Sequence, residues 1–277
     1  MTEGDTIDRT LPLPNTIDSL ARDLRSLGLS AGMTVIVHSS LSSIGWVCGG
    51  AVAVILALEQ VLGRNGTLVM PAHSGDLSDP APWQNPPVPQ AWWESIRESM
   101  PSFDRNLTPT RGMGVIAETF RKQRGVVRSN HPTTSFAAWG KHSRAVTKVR
   151  KLDFSMDRDS PLGRIYGLDG YVLLLGVGHD SNTSIHLAEY IAEFEGKRVV
   201  NCHSPIRRNG KRVWQEYRDL EFSTDDFEDV GRDFEREAKC NTGMVGKAVA
   251  KLMKQRELVD FAVKWLKDHR VQRDRSN

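Results

Sequence analysis

Cysteine is scarce in this chain: 277 residues hold only Cys48, Cys202 and Cys240, with no CxxC pair. That usage excludes a disulfide-stapled secreted domain and a cysteine zinc site, and it points to a reducing compartment. There is no block of five or more basic residues, and the formal net charge is only +3. A surplus this small gives no footprint for nucleic acid. The most basic stretch, KRVVNCHSPIRRNGKR, is interleaved with Val, Pro and Gly and reads as a solvated hairpin. No apolar run approaches the roughly 20 residues that cross a bilayer. The N-terminal MTEGDTIDRTLPLPNT is acidic, polar and proline-bearing, unlike a signal or transit peptide. The expectation is a cytoplasmic protein with no membrane or nucleic-acid partner. Also missing are GxGxxG, GxxxxGK[ST], GxSxG and HExxH, which removes nucleotide fingerprints, a serine elbow and the common zinc-hydrolase pattern.

What is present is ordinary for a folded domain: 39% hydrophobic and 26% charged residues, enough for one large core or two merged ones. NTIDSLARDLRSLGL predicts a helix, with Asn15 or Thr16 as N-cap, apolar Ile17, Leu20, Leu24 and Leu27, and Gly28 as the stop. TVIVHSS reads as a strand, GGAVAVILALEQVLG as a helix and GTLVMPA as a second buried strand. This order argues for a parallel or mixed sheet with helices on its faces. Residues 73–106 are rich in Pro, Trp, Asp and Asn and lack periodicity, yet Trp83, Trp92 and Trp93 argue against disorder. GVIAETFRKQ predicts a helix, YVLLLG a third buried strand and SIHLAEYIAEFEG another helix. VVNCHSPIRRNGKRVWQEYRDL predicts a hairpin turning at Asn209-Gly210. The stretch TGMVGKAVAKLMKQRELVDFAVKWLKDH predicts one or two amphipathic helices.

Three stretches could carry chemistry. In HSSLSSIGWVCGGA, serines follow a strand and Gly45, Gly49 and Gly50 open a helix, a setting in which backbone N–H groups can meet an anion. The same pattern is also what a tight strand-to-helix turn needs. TPTRGMG and RSNHPTTSFAAWG place hydroxyls and cations, among them Arg128, Ser129, His131 and Ser135, where phosphate or amide contacts are possible. In GVGHDSNTSIHLAEY, His186 and Glu189 stand three apart on a helix and so share a face. A carboxylate beside a histidine orients the ring and raises its basicity, as a general base requires. His179 and Asp180 precede them at a strand end, and His179 is the competing base. His73, Asp76, His179, Asp180 and His186 lack the usual metal-ligand spacing, so no metal is expected.

VIVHSSLSSIGWVCGGA, GTLVMPA, TPTRGMG, RSNHPTTSFAAWG, SPLGRIYGLDGYVLLLGVGHDSNTSIHLAEY and LMKQRELVDFAVKWL together resemble the aminoglycoside 3-N-acetyltransferase family, in the family's order and over residues 15–268. The resemblance implies an α/β antibiotic N-acetyltransferase fold, a mixed central sheet flanked by helices and distinct from the GNAT fold. It implies residues 1–14 as a flexible segment and 15–277 as a single acetyltransferase domain with an acceptor-lining insertion near 73–106. The activity implied is acetyl transfer from acetyl-CoA to the 3-amino group of 2-deoxystreptamine, giving antibiotic resistance, by a monomer or homodimer. Ser39, Ser40, Leu41, Ser42, Gly45, Val47, Gly49 and Gly50 would hold CoA, with Thr110, Arg128 and Ser129 adding contacts. His186 and Glu189 would deprotonate the ammonium for direct attack, His179 being the alternative base, and Thr183 or backbone N–H groups would stabilise the oxyanion. A polycationic acceptor calls for local acids: Asp76, Asp79, Asp180, Asp225 and Asp226, with His73, Trp83 and Asn182 beside them. The alternatives left open are acetylation of another small amine in biosynthesis, a non-catalytic CoA-binding protein and a metal-dependent amide hydrolase.

Overall fold

The computed structural model describes residues 2–270. Its first half runs α1 (Glu3–Thr10), α2 (Ile17–Leu27), β1 (Thr34–Ser39), the single turn α3 (Leu41–Ile44), α4 (Gly50–Leu62), β2 (Thr67–Pro71), α5 (Trp93–Ser99), α6 (Gly114–Phe120), β3 (Val127–Arg128) and β4 (Phe136–Gly140). The second half runs α7 (Ser143–Val146), α8 (Pro161–Gly167), β5 (Tyr171–Leu175), α9 (Ser184–Ile191), β6 (Val199–Arg208), β7 (Lys211–Leu220), α10 (Phe227–Glu237), β8 (Cys240–Val245), β9 (Ala248–Lys254) and α11 (Gln255–His269).

Seven strands form one mixed sheet in the order β3-β4-β2-β1-β5-β9-β8. β1 is parallel to both β2 and β5, while β4 and β9 add antiparallel flanks. Because successive strand residues point to opposite faces, an unbroken apolar strand must be covered on both sides. That is how the two cores divide. Val35 and Val37 of β1 and Leu173 and Leu175 of β5 pack with α2, α4 and α6. Ile36, Val172 and Leu174 pack on the other face with residues of α8, α9, α10 and α11.

This layering opens a crevice. Adjacent parallel strands β1 and β5 send their following helices, α4 and α9, to opposite faces of the sheet. The loops diverge at the carboxyl ends of these strands, where open α/β sheets place ligands. The two-stranded ribbon β6–β7 stands apart from the sheet and folds over that end, turning at Asn209-Gly210 as its sequence predicts.

Two regions differ from expectation. Residues 3–10, expected within a flexible segment, form α1: Thr2 and Asp5 make a reciprocal capping box, and Thr10 is buried with its Oγ1 accepting from the Trp46 amide at 2.7 Å. The stretch expected to be wholly helical contributes a hairpin, β8–β9, before α11 begins at Gln255. Pairing with β5 sets this conformation: Ala248, Ala250 and Leu252 turn inward while Val249 is 52% exposed, a period of two. Within residues 73–106, α5 supplies the one helix longer than a single turn. Residues 271–277, part of the expected domain span, lie outside the described residues.

Candidate active site

A cavity of about 1510 Å³ fills the crevice. One wall is the segment after β1: His38, Ser39, Ser40, Leu41, Ser42, Gly45, Trp46, Val47 and Gly50. Here α4 starts at Gly50 behind Gly49, which sits at φ 89° and makes no side-chain cap, so the first turn keeps backbone N–H groups free of a capping side chain. Those donors, with the serine hydroxyls, fit an anionic phosphate group. The wall is partly self-organised: Ser43 donates to Ser40 Oγ at 2.9 Å, and Ser40 lies 3.2 Å from Ser42.

The opposite wall carries the base. His186 is 9% exposed on the cavity surface, its ring set against Phe222 and Phe227 at centroid distances of 5.1 and 4.8 Å. Its Nδ1 lies 2.5 Å from Oε2 of Glu189, which is buried. With Nδ1–H donating to that carboxylate, Nε2 holds the lone pair. Nε2 has no hydrogen-bond partner among the described residues. The other oxygen of Glu189 accepts from Arg270 Nη1 at 2.6 Å, and Arg270 also holds Asp226 through two bonds of 2.7 Å. Burial opposes the charge on Arg270, but Asp226 and Glu189 outweigh it and hold the guanidinium pKa above its ordinary value.

The predicted residues therefore separate into two groups. Ser39, Ser40, Leu41, Ser42, Gly45, Val47, Gly50, His73, Asp79, Asp180, Thr183 and His186 share the cavity wall. The remainder do not reach it. His179 is buried under α10, with Nε2 2.8 Å from Glu235 and Nδ1 3.2 Å from the Asn182 amide, and burial lowers its pKa. Asn182 is likewise buried beside it. Arg128 spends its guanidinium on the carbonyls of Ala72 and Thr108 and on Ser135, while Ser129 accepts from the Phe136 amide. Thr110 is tied to Glu118. Asp76 lies 3.9 Å from Arg111, Trp83 donates to Ser78, and Asp226 faces Arg270. Asp225 and Gly49 are also off the wall.

The sequence reading missed several wall residues: His38, Met113, Thr133, Thr134, Cys202, Tyr217, Asp219, Glu221 and Phe222. A signal for part of this set existed. In the ribbon, Tyr217, Asp219 and Glu221 alternate, so they share one face, and Tyr217 pairs with Cys202. Asp219 is buried, accepts from Tyr190 and from the Ser155 and Leu220 amides, and has its carboxyl pKa raised by burial. Among the described residues no group of three His, Cys, Asp or Glu side chains could hold a metal ion.

Comparison with known proteins identifies the family and the fold. The family model for aminoglycoside 3-N-acetyltransferases matches residues 36–267. The chain is similar to the SPbeta prophage-derived aminoglycoside N(3')-acetyltransferase-like protein YokD of Bacillus subtilis, 53% identical over 91% of this chain and 92% of that protein. The crystal structure of YokD superposes with a TM-score of 0.93 at 50% identity, covering 96% of this chain and 98% of the other. AAC-IIIb in a binary complex with CoASH (TM-score 0.83, 29% identity, 94% and 99% covered) and AAC-VIa bound to sisomicin (0.84, 29%, 94% and 100%) share the architecture. No helix among the described residues is long and apolar enough to cross a membrane. The chain belongs to the aminoglycoside 3-N-acetyltransferase family.

Proposed function

We propose that this enzyme transfers the acetyl group of acetyl-CoA to the 3-amino group of the 2-deoxystreptamine ring of aminoglycosides, giving resistance to them. One observation carries the reading: His186, oriented through Nδ1 by buried Glu189, presents its other ring nitrogen to a cavity large enough for two sizeable substrates. An ammonium has no lone pair with which to attack a thioester. His186 Nε2 accepts its proton, the amine attacks the carbonyl directly, and Glu189 stabilises the imidazolium that forms. Collapse of the tetrahedral intermediate breaks the C–S bond and expels the CoA thiolate; the nitrogen's second proton passes to that sulfur, leaving neutral amide and CoA thiol, and His186 returns its proton to solvent. The Thr183 hydroxyl and nearby backbone N–H groups are the donors for the oxyanion. CoA takes the wall after β1, with its phosphates toward the start of α4 and Ser39, Ser40 and Ser42 along its length. The acceptor takes the side bounded by Asp180, Asp219 and Glu221. That related structures bind CoASH and sisomicin supports both halves.

The test is CoA release from acetyl-CoA with gentamicin, kanamycin or apramycin. Native turnover that falls by about 10²-fold or more in His186→Ala is the expected result. An unimpaired mutant would move the base elsewhere. A second reading, acetylation of another small amine in biosynthesis, is favoured by one feature: arginines already neutralise Asp79 and Asp226. Inertness toward all three drugs would select it.

A further inference from the structure

Resting on that mechanistic reading, the geometry points to Arg270 as a positioning residue for the base: it fixes the Glu189 carboxylate so that one oxygen stays on His186. The terminal torsion of a glutamate is soft, so a single hydrogen bond to His186 would leave the carboxylate free to rotate. Here both oxygens are claimed, Oε2 by His186 at 2.5 Å and Oε1 by Arg270 at 2.6 Å. Arg270 is itself immobilised. Its Nε and Nη2 form a two-point fork on Asp226, Nη2 also donates to the Ser223 carbonyl at 3.2 Å, and the guanidinium lies 5.0 Å from the Phe194 ring centroid.

The connection spans three elements. Asp226 is the residue before α10, Glu189 lies on α9 and Arg270 follows α11, 81 residues from Glu189. A carboxylate only 2% exposed needs a paired cation, and Arg270 supplies one to Glu189. The guanidinium has the planar fork that serves two carboxylates at once, and an ammonium lacks it. Arg270 has no place on the cavity wall, so it acts only through Glu189.

Steady-state kinetics of Arg270→Ala, Arg270→Lys and Asp226→Asn, with acetyl-CoA and gentamicin, test this. Misplacing a catalytic group by about 1 Å costs up to about 10²-fold, so Arg270→Ala should lower kcat by roughly 10- to 100-fold with both KM values held within about threefold. Arg270→Lys should be intermediate, and added guanidinium should restore part of the kcat of Arg270→Ala. Unchanged kcat in Arg270→Ala overturns the proposal, as does a loss that guanidinium leaves untouched while KM rises in step. If Arg270→Ala does not fold, Asp226→Asn decides: lower kcat at constant KM supports it, and unchanged kcat overturns it. Should the native protein turn over no drug, the functional reading fails separately. The low-field proton resonance of His186 Nδ1, expected in the native protein and lost or shifted in Arg270→Lys, then tests the positioning alone, and an unmoved resonance overturns it.

Discussion

Asp79 and Asp180 both face the cavity, yet they present different charge to an acceptor. Arg97 holds Asp79 through two hydrogen bonds of 2.8 Å and keeps its carboxyl below the usual range, so its field at the wall is largely cancelled. Asp180 has no cation at ion-pair distance among the described residues; its carboxylate takes only a 3.3 Å bond from Ser181. Asp180→Asn should therefore raise the KM for a cationic drug by about tenfold, the size of one lost charge-assisted hydrogen bond, and Asp79→Asn by less than about threefold. Acceptor KM values for the two variants check this, and the reverse order would show that Arg97 releases Asp79 on binding. Sequence could place both acids near the site but could not see that Arg97, 18 residues away, had claimed one of them. The same limit applies around the base. His186 and Glu189 were legible because a spacing of three fixes a shared helix face. His179 stands as the competing base in the sequence, and only the packing of α10 above it shows that its ring is enclosed.

At the scale of elements, legibility followed how local the deciding interaction is. α2 was readable to within one residue, Asn15 or Thr16 as its N-cap, because its determinants are its own: Thr16 accepts from the Ser19 amide, and Gly28 closes the helix. β9 was not, because Ala-Val-Ala-Lys-Leu-Met favours a helix locally and becomes a strand only by pairing with β5, nearly 80 positions earlier. α10 shows why such long-range packing matters to the site. Its Gly231 lies directly on the His179 ring, where an added Cβ would sit 2.0 Å from Cγ. That ring is buried and bonded at both nitrogens, so it cannot swing away. Gly231→Ala should cost about 1–3 kcal/mol by overpacking, a fall in melting temperature of roughly 2–5 °C for a chain of this length. It should also push α10, and with it Asp226, away from Arg270, so kcat should drop further than stability alone explains. Thermal melts and kinetics on the same preparation test both. A native melting temperature would mean that α10 shifts freely.

Across the whole molecule, the sheet that builds the crevice also buries histidines that the chemistry does not require to be charged. His38 is buried and His73 half-buried, and the Nε2 of each is buried with no hydrogen-bond partner among the described residues. Burial first, and the nearby His186 second, pushes the pKa of each down to about 3. His131, whose Nδ1 accepts from the Thr134 amide, is pushed down by burial to about 4. In the unfolded chain all three titrate near 6.5. Between about pH 6.5 and the folded values the unfolded state binds protons that the native state refuses. The stability they contribute is therefore complete above about pH 6.5 and is lost as pH falls toward 4 and then 3. Each contributes a slope of about 1.4 kcal/mol per pH unit once the unfolded chain is protonated, so the three together approach about 4 kcal/mol per unit. Total stabilities are of the order of 5–15 kcal/mol, so a drop of two pH units below 6 removes much of the margin. Urea unfolding at pH 7.5, 6.5, 5.5 and 4.5 should give near-constant stability over the first step and a steep decline over the last. His131→Gln, which removes one proton-binding site of the unfolded chain, should make the decline shallower by about a quarter to a third, because His179, also pushed down by burial, adds to the slope. A stability flat from pH 6.5 to 4.5 would mean that these histidines accept protons in the folded state, and the cavity would then carry positive charge against a polycationic acceptor.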